Sequence, residues 1–144
     1  MILRDEEATA RAGAALAAQA RAGDVITLSG PLGVGKTALA RGFLAALGHE
    51  GEVPSPSFAI VQPYEELDPS VWHVDLYRIE DASELGELGL DSAAEAVLVV
   101  EWPERAGDNA WPGALQLRLD FAAEGYRSLT AMVPPSWEGR WPPR

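Results

Sequence analysis

Eight consecutive residues constrain this chain more than any others: Gly30, Pro31, Leu32, Gly33, Val34, Gly35, Lys36 and Thr37, the pattern G-x-x-x-x-G-K-T. Such a run makes physical sense as a tight turn between a strand and a helix, because its glycines let successive backbone N–H groups converge on one point. Both flanks are present. Residues 25–29 read VITLS, a short β-rich run, and residues 36–48 carry Leu39, Phe43, Leu44 and Leu47 at helical spacing before Gly48. Converging N–H groups at the positive end of a helix bind phosphate. In such a loop Lys36 reaches the β/γ oxygens and Thr37 offers its hydroxyl to Mg²⁺. Pro31 has no N–H, so the cradle must be built from residues 33–37.

The rest of the composition narrows the setting. A chain of 144 residues has room for one ordinary domain. No apolar stretch approaches the roughly 20 residues a spanning helix needs, and the N-terminal stretch turns acidic at once, so a soluble, cytoplasmic protein without a membrane partner is expected. The absence of cysteine excludes disulfides, thiol catalysis and thiolate metal sites. A net charge of −11 opposes a nucleic-acid backbone, which makes direct, tight RNA binding a poor expectation. Lys36 is the only lysine among eleven basic residues, and it falls in the phosphate motif.

Residues 5–22 read as a first helix, acidic at the start and followed by Gly23. The alternating prolines and serines of residues 52–57 predict an extended loop, and residues 58–64 a strand interrupted by Pro63. In residues 71–77, VWHVDLY, alternation puts Trp72, Val74 and Leu76 on one face and His73, Asp75 and Tyr77 on the other. A weak helix capped by Ser83 or Asp81 is expected within 81–96, and a fully buried strand over 96–102 ending in Glu101 and Trp102. Residues 115–121 and 126–133 form the strongest hairpin candidate. These readings place the ordered domain at residues 1–133 and leave 134–144, with Trp137 and Trp141 among prolines, as a tail expected to be poorly ordered.

A phosphate loop of this type needs an acid near the metal at the end of a neighbouring strand, and Asp75 and Glu101 are the two candidates. A guanine-reading N-K-x-D segment is impossible in a chain whose one lysine is already used, so ATP is favoured. Trp102 is available to hold an adenine by stacking, or to pack in the core or against the hairpin.

Taken together, these motifs resemble the bacterial TsaE (YjeE) ATPases of tRNA threonylcarbamoyladenosine formation. The resemblance runs over about residues 5–130: GDVITLSGPLGVGKTALARGFLAALG, VPSPSFAIVQPY, HVDLYRIED with ELGELGLD, VLVVEWPER, and a last strand with Gly125, Tyr126 and Arg127. It implies an α/β fold, a single P-loop domain with a central mixed β-sheet flanked by helices and a C-terminal β-hairpin. It also implies weak, partner-activated ATPase activity with TsaB and TsaD, which transfer the threonylcarbamoyl group to the adenosine beside the anticodon of ANN-decoding tRNAs, and contact with tRNA only through that complex. Carried over by position, Gly33, Val34, Gly35, Lys36, Thr37 and Ala38 hold phosphates, and Thr37 and Glu101 match Mg²⁺ ligands. Asp75 matches an acid that binds Mg²⁺ through water or orients the attacking water. Thr9 and Arg127 match positions that approach the nucleotide. The catalytic set is then Lys36, Asp75 and Glu101. The chain departs from the family's T-S-P-T-F element, reading Pro54, Ser55, Pro56, Ser57 and Phe58; Ser57 keeps the hydroxyl a γ-phosphate switch would use. Two other classes fit the loop alone. One is a small-metabolite kinase using Arg78, Arg105 and Arg127 as lid charge; the other is a non-hydrolysing nucleotide-sensing docking module.

Overall fold

A computed structural model describes residues 1–53, 60–90, 94–107 and 110–142. Seven strands, β1 (Ile2–Leu3), β2 (Val25–Ser29), β3 (Val61–Tyr64), β4 (Val71–Asp75), β5 (Val97–Glu101), β6 (Leu115–Phe121) and β7 (Arg127–Met132), form one sheet in the order β1-β7-β6-β2-β5-β4-β3. Among the described residues two α-helices, α1 (Glu6–Ala17) and α2 (Lys36–Ala46), join the strands, with short 3-10 turns besides. The four central strands β6, β2, β5 and β4 are parallel, and β7 and β3 join them antiparallel, so the sheet is mixed. Central parallel strands are covered on both faces and become continuously apolar. That is why the run Val97–Val100 is fully buried. Pro63 lies in β3, which pairs only with β4 at the sheet's edge, where a missing N–H breaks no inner ladder. The predicted hairpin is β6 and β7, registered from Gln116 opposite Met132 to Phe121 opposite Arg127.

The two α-helices lie together on one face. Leu16 of α1 and Leu39, Phe43 and Leu44 of α2 pack with Ile26, Leu28, Val99 and Leu117 of the sheet. The opposite face carries Val74, Leu98 and Val100 beneath Ile79 and Ala106, covered by short 3-10 turns at Ala82–Leu88 and Pro103–Ala106 in place of longer helices. The helices cross at two glycines. A Cβ on Gly13 would stand 2.0 Å from the Leu39 carbonyl oxygen, and one on Gly42 2.0 Å from that of Ala10. This close crossing sets α1 against the start of α2, beside the phosphate loop.

Several expectations need correction. The first helix ends at Ala17, short of residue 22, because the chain leaves α1 in tight turns (Gln19 N–H to Leu16 O, 3.0 Å) and then follows the Asp24 carboxylate, which takes the Arg21 N–H at 2.7 Å. Of the helix expected in 81–96, the described residues hold the 3-10 turn at Ala82–Leu88. Asp81 caps it, Glu84 completes a capping box, and Gly89 at φ 69° ends it. Residues 91–93 lie outside the described residues, as do 54–59, which include Pro54, Ser55, Pro56, Ser57 and Phe58 of the proline loop. Strand β1, two residues long, had no periodicity to announce it.

The largest correction is the tail. Residues 134–142 pack onto the domain: Trp137 is wholly buried in the helix-side core, and Arg140 is buried against Asp24. A boundary at residue 133 would cut through that core. Proline excluded a helix or strand there, but one large aromatic anchors an irregular segment equally well.

Candidate nucleotide site

Parallel strands bring their carboxyl ends to one edge of a sheet, where open α/β folds place their ligands. Here the register sets Glu101 beside both Leu28 and Asp75, so the phosphate loop after β2 and the two candidate acids meet by topology alone. They line a cleft of about 450 Å³. All of the sequence's site candidates, Thr9, Gly33 to Ala38, Asp75, Glu101, Trp102 and Arg127, lie around it.

The loop is positioned from three sides. Gly30, at φ 140°, runs so close to β6 that a Cβ would stand 2.2 Å from the Leu119 carbonyl oxygen. Gly35, at φ 120°, starts α2, with Thr9 Cγ2 within 3.5 Å of where its Cβ would be. Thr9 is buried and its hydroxyl donates to Asp5 O at 3.2 Å, so it braces the loop from α1. Arg127 donates from Nε to Val34 O at 3.0 Å and from Nη1 to Gly125 O at 2.7 Å, which ties the loop to the hairpin. Both residues, expected to approach the nucleotide, also hold the loop's backbone. Gly33, at φ 80°, has open space where a Cβ would be, leaving the loop's tip free to receive an anion.

Lys36 is almost entirely buried, and its ammonium donates to Gly30 O. Nζ also sits 3.6 Å from the centroid of the Trp102 ring, in cation–π contact. Burial holds the Lys36 pKa below its ordinary value, against the pull of Glu101 first and then Glu104 and Asp75. Trp102 itself is in the left-handed region, φ 60° and ψ 49°, a conformation a bulky side chain adopts only when its surroundings impose it. Its N–H to Leu28 O at 3.2 Å and its ring's contact with Tyr77, centroids 4.9 Å apart, are those surroundings. A ring already faced by Lys36 belongs beside the phosphate loop, so the adenine-stacking expectation for Trp102 would require its other face or a displaced lysine.

Around Thr37 the site is acidic. Its hydroxyl lies 3.3 and 3.4 Å from the two carboxylate oxygens of Glu101. Glu101 is buried, and its Oε2 is 2.7 Å from His73 Nε2. Asp75, also buried, accepts the Tyr77 N–H at 2.8 Å. Burial raises the Asp75 pKa above its ordinary value, opposed by the Tyr77 N–H and reinforced by the charge of Glu101. A hydroxyl and carboxylates are hard oxygen donors, the set that suits Mg²⁺. No group of three or more His, Cys, Asp or Glu side chains is arranged as a metal site among the described residues. The Thr37 hydroxyl and the Glu101 carboxylate beside it fit a cation that takes one or two protein oxygens and completes its shell from phosphate and water, which is the habit of Mg²⁺ at nucleotide sites.

The sequence reading gave His73 no role, although the strand alternation had placed it on Asp75's face. It also missed Asp5, Glu6 and Arg41, which line the cleft from the two helices, with Arg41 and Glu6 paired at 3.5 Å. No local motif marks these three. Of the arginines considered as lid charge, Arg78 lines the cleft, Arg127 braces the loop, and Arg105 lies 5.6 Å over the Tyr77 ring, outside the lining.

The family described as "Threonylcarbamoyl adenosine biosynthesis protein TsaE" matches residues 3–129. A Mycobacterium tuberculosis protein named tRNA threonylcarbamoyladenosine biosynthesis protein TsaE is 42% identical over 124 residues, covering 79% of this chain and 74% of its own length. A Bacillus subtilis protein of the same name is 39% identical over 116 residues, covering 79% and 72%. A crystal structure of YdiB from B. subtilis superposes with a TM-score of 0.82 at 30% identity, covering 96% of this chain and 88% of that one.

Proposed function

The chain belongs to the TsaE family, and from that premise we propose that it is a Mg²⁺-dependent ATPase of tRNA threonylcarbamoyladenosine biosynthesis, activated by partner proteins of the TsaB and TsaD type. The observation that carries the reading is the convergence of Lys36, Thr37, Glu101 and Asp75 in the cleft at the carboxyl ends of β2, β4 and β5. The backbone N–H groups of residues 33–38 hold the β and γ phosphates, and Lys36 leaves Gly30 O to neutralise their charge. Thr37 and Glu101 would hold Mg²⁺, which would supply positive charge to offset the negative charge of the phosphates. Asp75, on the same strand face and facing the same cleft, orients the attacking water. Glu101 and Asp75 are buried beside one another, so in this reading a bound cation would add to the Lys36 ammonium in balancing their shared negative charge. ATP is preferred to GTP because the chain has no second lysine from which an N-K-x-D reader could be built. A net charge of −11 supports a protein–protein role, with tRNA reached through the partners.

The test is ATP hydrolysis by the purified chain alone and again with TsaB, TsaD and tRNA, with Lys36→Ala as the blank. Weak turnover alone, rising sharply in the mixture and absent in the blank, is expected. Asp75→Ala should keep nucleotide binding and lose at least about 100-fold in turnover, near 2.7 kcal/mol of barrier. Unchanged turnover in the mixture, with stimulation by a small metabolite, would point to a kinase. Nucleotide retained without turnover beside the partners would point to a sensing module.

A further inference from the structure

Among the described residues, His73 is the one buried ionisable residue beneath the cleft to which the mechanism above gives no task. It stands in the middle of β4, wholly buried, with Val99 of β5 as its partner in register. Nε2 lies 2.7 Å from Glu101 Oε2, while Nδ1 is buried with no hydrogen-bond partner among the described residues. An N–H at Nδ1 would be an unpaired donor in the core, which is strongly disfavoured. The tautomer with its proton on Nε2 leaves no such donor and gives that proton to Glu101.

From this geometry we infer that His73 is a positioning residue, which holds the Glu101 carboxylate from beneath so that it faces Thr37, where the two would together hold a cation. The inference rests on the proposed ATPase reading and deepens it. Glu101 sits at the last residue of β5, with its backbone fixed by β2 and β4. Among the described residues its side chain has two hydrogen-bonding partners, His73 and, by longer contacts at 3.3 and 3.4 Å, Thr37. The histidine bond is the shorter, is wholly shielded from water, and approaches from the side away from the solvent. Carboxylates that ligate metals are themselves held by outer hydrogen bonds, and loss of such a bond weakens metal affinity or activity by roughly 10- to 100-fold. The spacing H-x-D has a physical reason in the same picture. Two residues on, strand alternation returns to the same face, so one strand delivers both the group beneath Glu101 and the acid beside it.

The experiment measures nucleotide binding by titration in EDTA and across a Mg²⁺ series, with thermal melting of the nucleotide-free protein alongside. His73→Met removes the donor at similar volume; His73→Gln keeps an amide N–H that can reach Glu101; His73→Asn carries the same amide on a shorter arm. His73→Met should raise the Mg²⁺ concentration for half-maximal effect by roughly 10- to 100-fold while binding in EDTA stays near wild type. His73→Gln should recover most of the loss and His73→Asn should not. If His73→Met does not fold, the Gln and Asn pair decides the matter. Equal Mg²⁺ dependence in the Gln and Asn variants, or wild-type dependence in His73→Met, overturns the inference and leaves the ATPase reading standing. A wild-type protein whose nucleotide binding ignores Mg²⁺ overturns that reading, and the inference with it.

Discussion

Strand β2 has a buried charge cluster at each end, and the two are built on opposite principles. Before its first residue, Asp24 meets Arg140 in a bidentate pair at 2.7 and 3.0 Å. The same guanidinium donates to Gln19 O at 2.8 Å and to Ser136 O at 2.9 Å, and lies 4.0 Å over the Trp137 ring. Every face of that cation is in use. After the last residue of β2, Lys36 has a single carbonyl and an aromatic face, Asp75 and Glu101 repel each other, and His73 Nδ1 is without a partner among the described residues. Buried charge that is fully satisfied fixes the fold, whereas buried charge left partly satisfied is kept for something that comes and goes.

The contrast is broken most directly at Arg140. Removing one member of a buried, hydrogen-bonded pair strands the other, so Arg140→Ala should destabilise the fold by about 3 to 5 kcal/mol in urea unfolding. Below its melting point the variant should bind nucleotide as wild type does; a change in affinity there would mean that the two ends of β2 are coupled. Lys36→Ala should do the reverse. Nucleotide affinity should fall more than about 100-fold, roughly 2.7 kcal/mol by titration, while unfolding free energy stays within about 1 kcal/mol of wild type. A large stability loss in that variant would make Lys36 a structural residue and erase the difference.

These two ends were unequally legible in the sequence. The phosphate loop is local: eight adjacent residues, a strand before and a helix after, and the two acids each at the end of an apolar run. Topology then brought Asp75 and Glu101 together, as the parallel register requires. The Arg140 clamp depends on residues 116 positions apart, and nothing near Asp24 announces it. Proline spacing in residues 134–144 pointed away from a long helix or a strand, and the described residues there hold the short 3-10 turn Pro135–Trp137, but that spacing carries no information about whether such a segment packs. Trp137 was the available signal, since a large aromatic in a polar, proline-rich stretch has the area to anchor it. His73 falls between these cases. Its face was readable from alternation; its bond to Glu101 was not, because that needs the neighbouring strand. Thr9 shows the limit of position matching: the sequence brought it to the site, and only the packing of α1 on α2 reveals that it presses on Gly35.

The smallest effect should come from removing charge without removing shape, at Asp75. Its pKa in the folded chain lies above the ordinary carboxylate value, chiefly from burial. The folded state thus binds this proton more tightly than the unfolded state does. At pH below the unfolded value of about 4 the carboxyl is protonated in both states and has no effect. As pH rises through the unfolded value and then the folded one, ionisation progressively disfavours the fold, and the penalty is complete above both. Asp75→Asn keeps an oxygen for the Tyr77 N–H and cannot ionise. In EDTA at neutral pH this variant should therefore be at least as stable as wild type, with the difference shrinking toward pH 4, even though its turnover is lost. A variant less stable than wild type at neutral pH would show that the Asp75 charge supports the fold as the Asp24 charge does. Gain of stability on loss of function is the signature of a group held in place against its own preference.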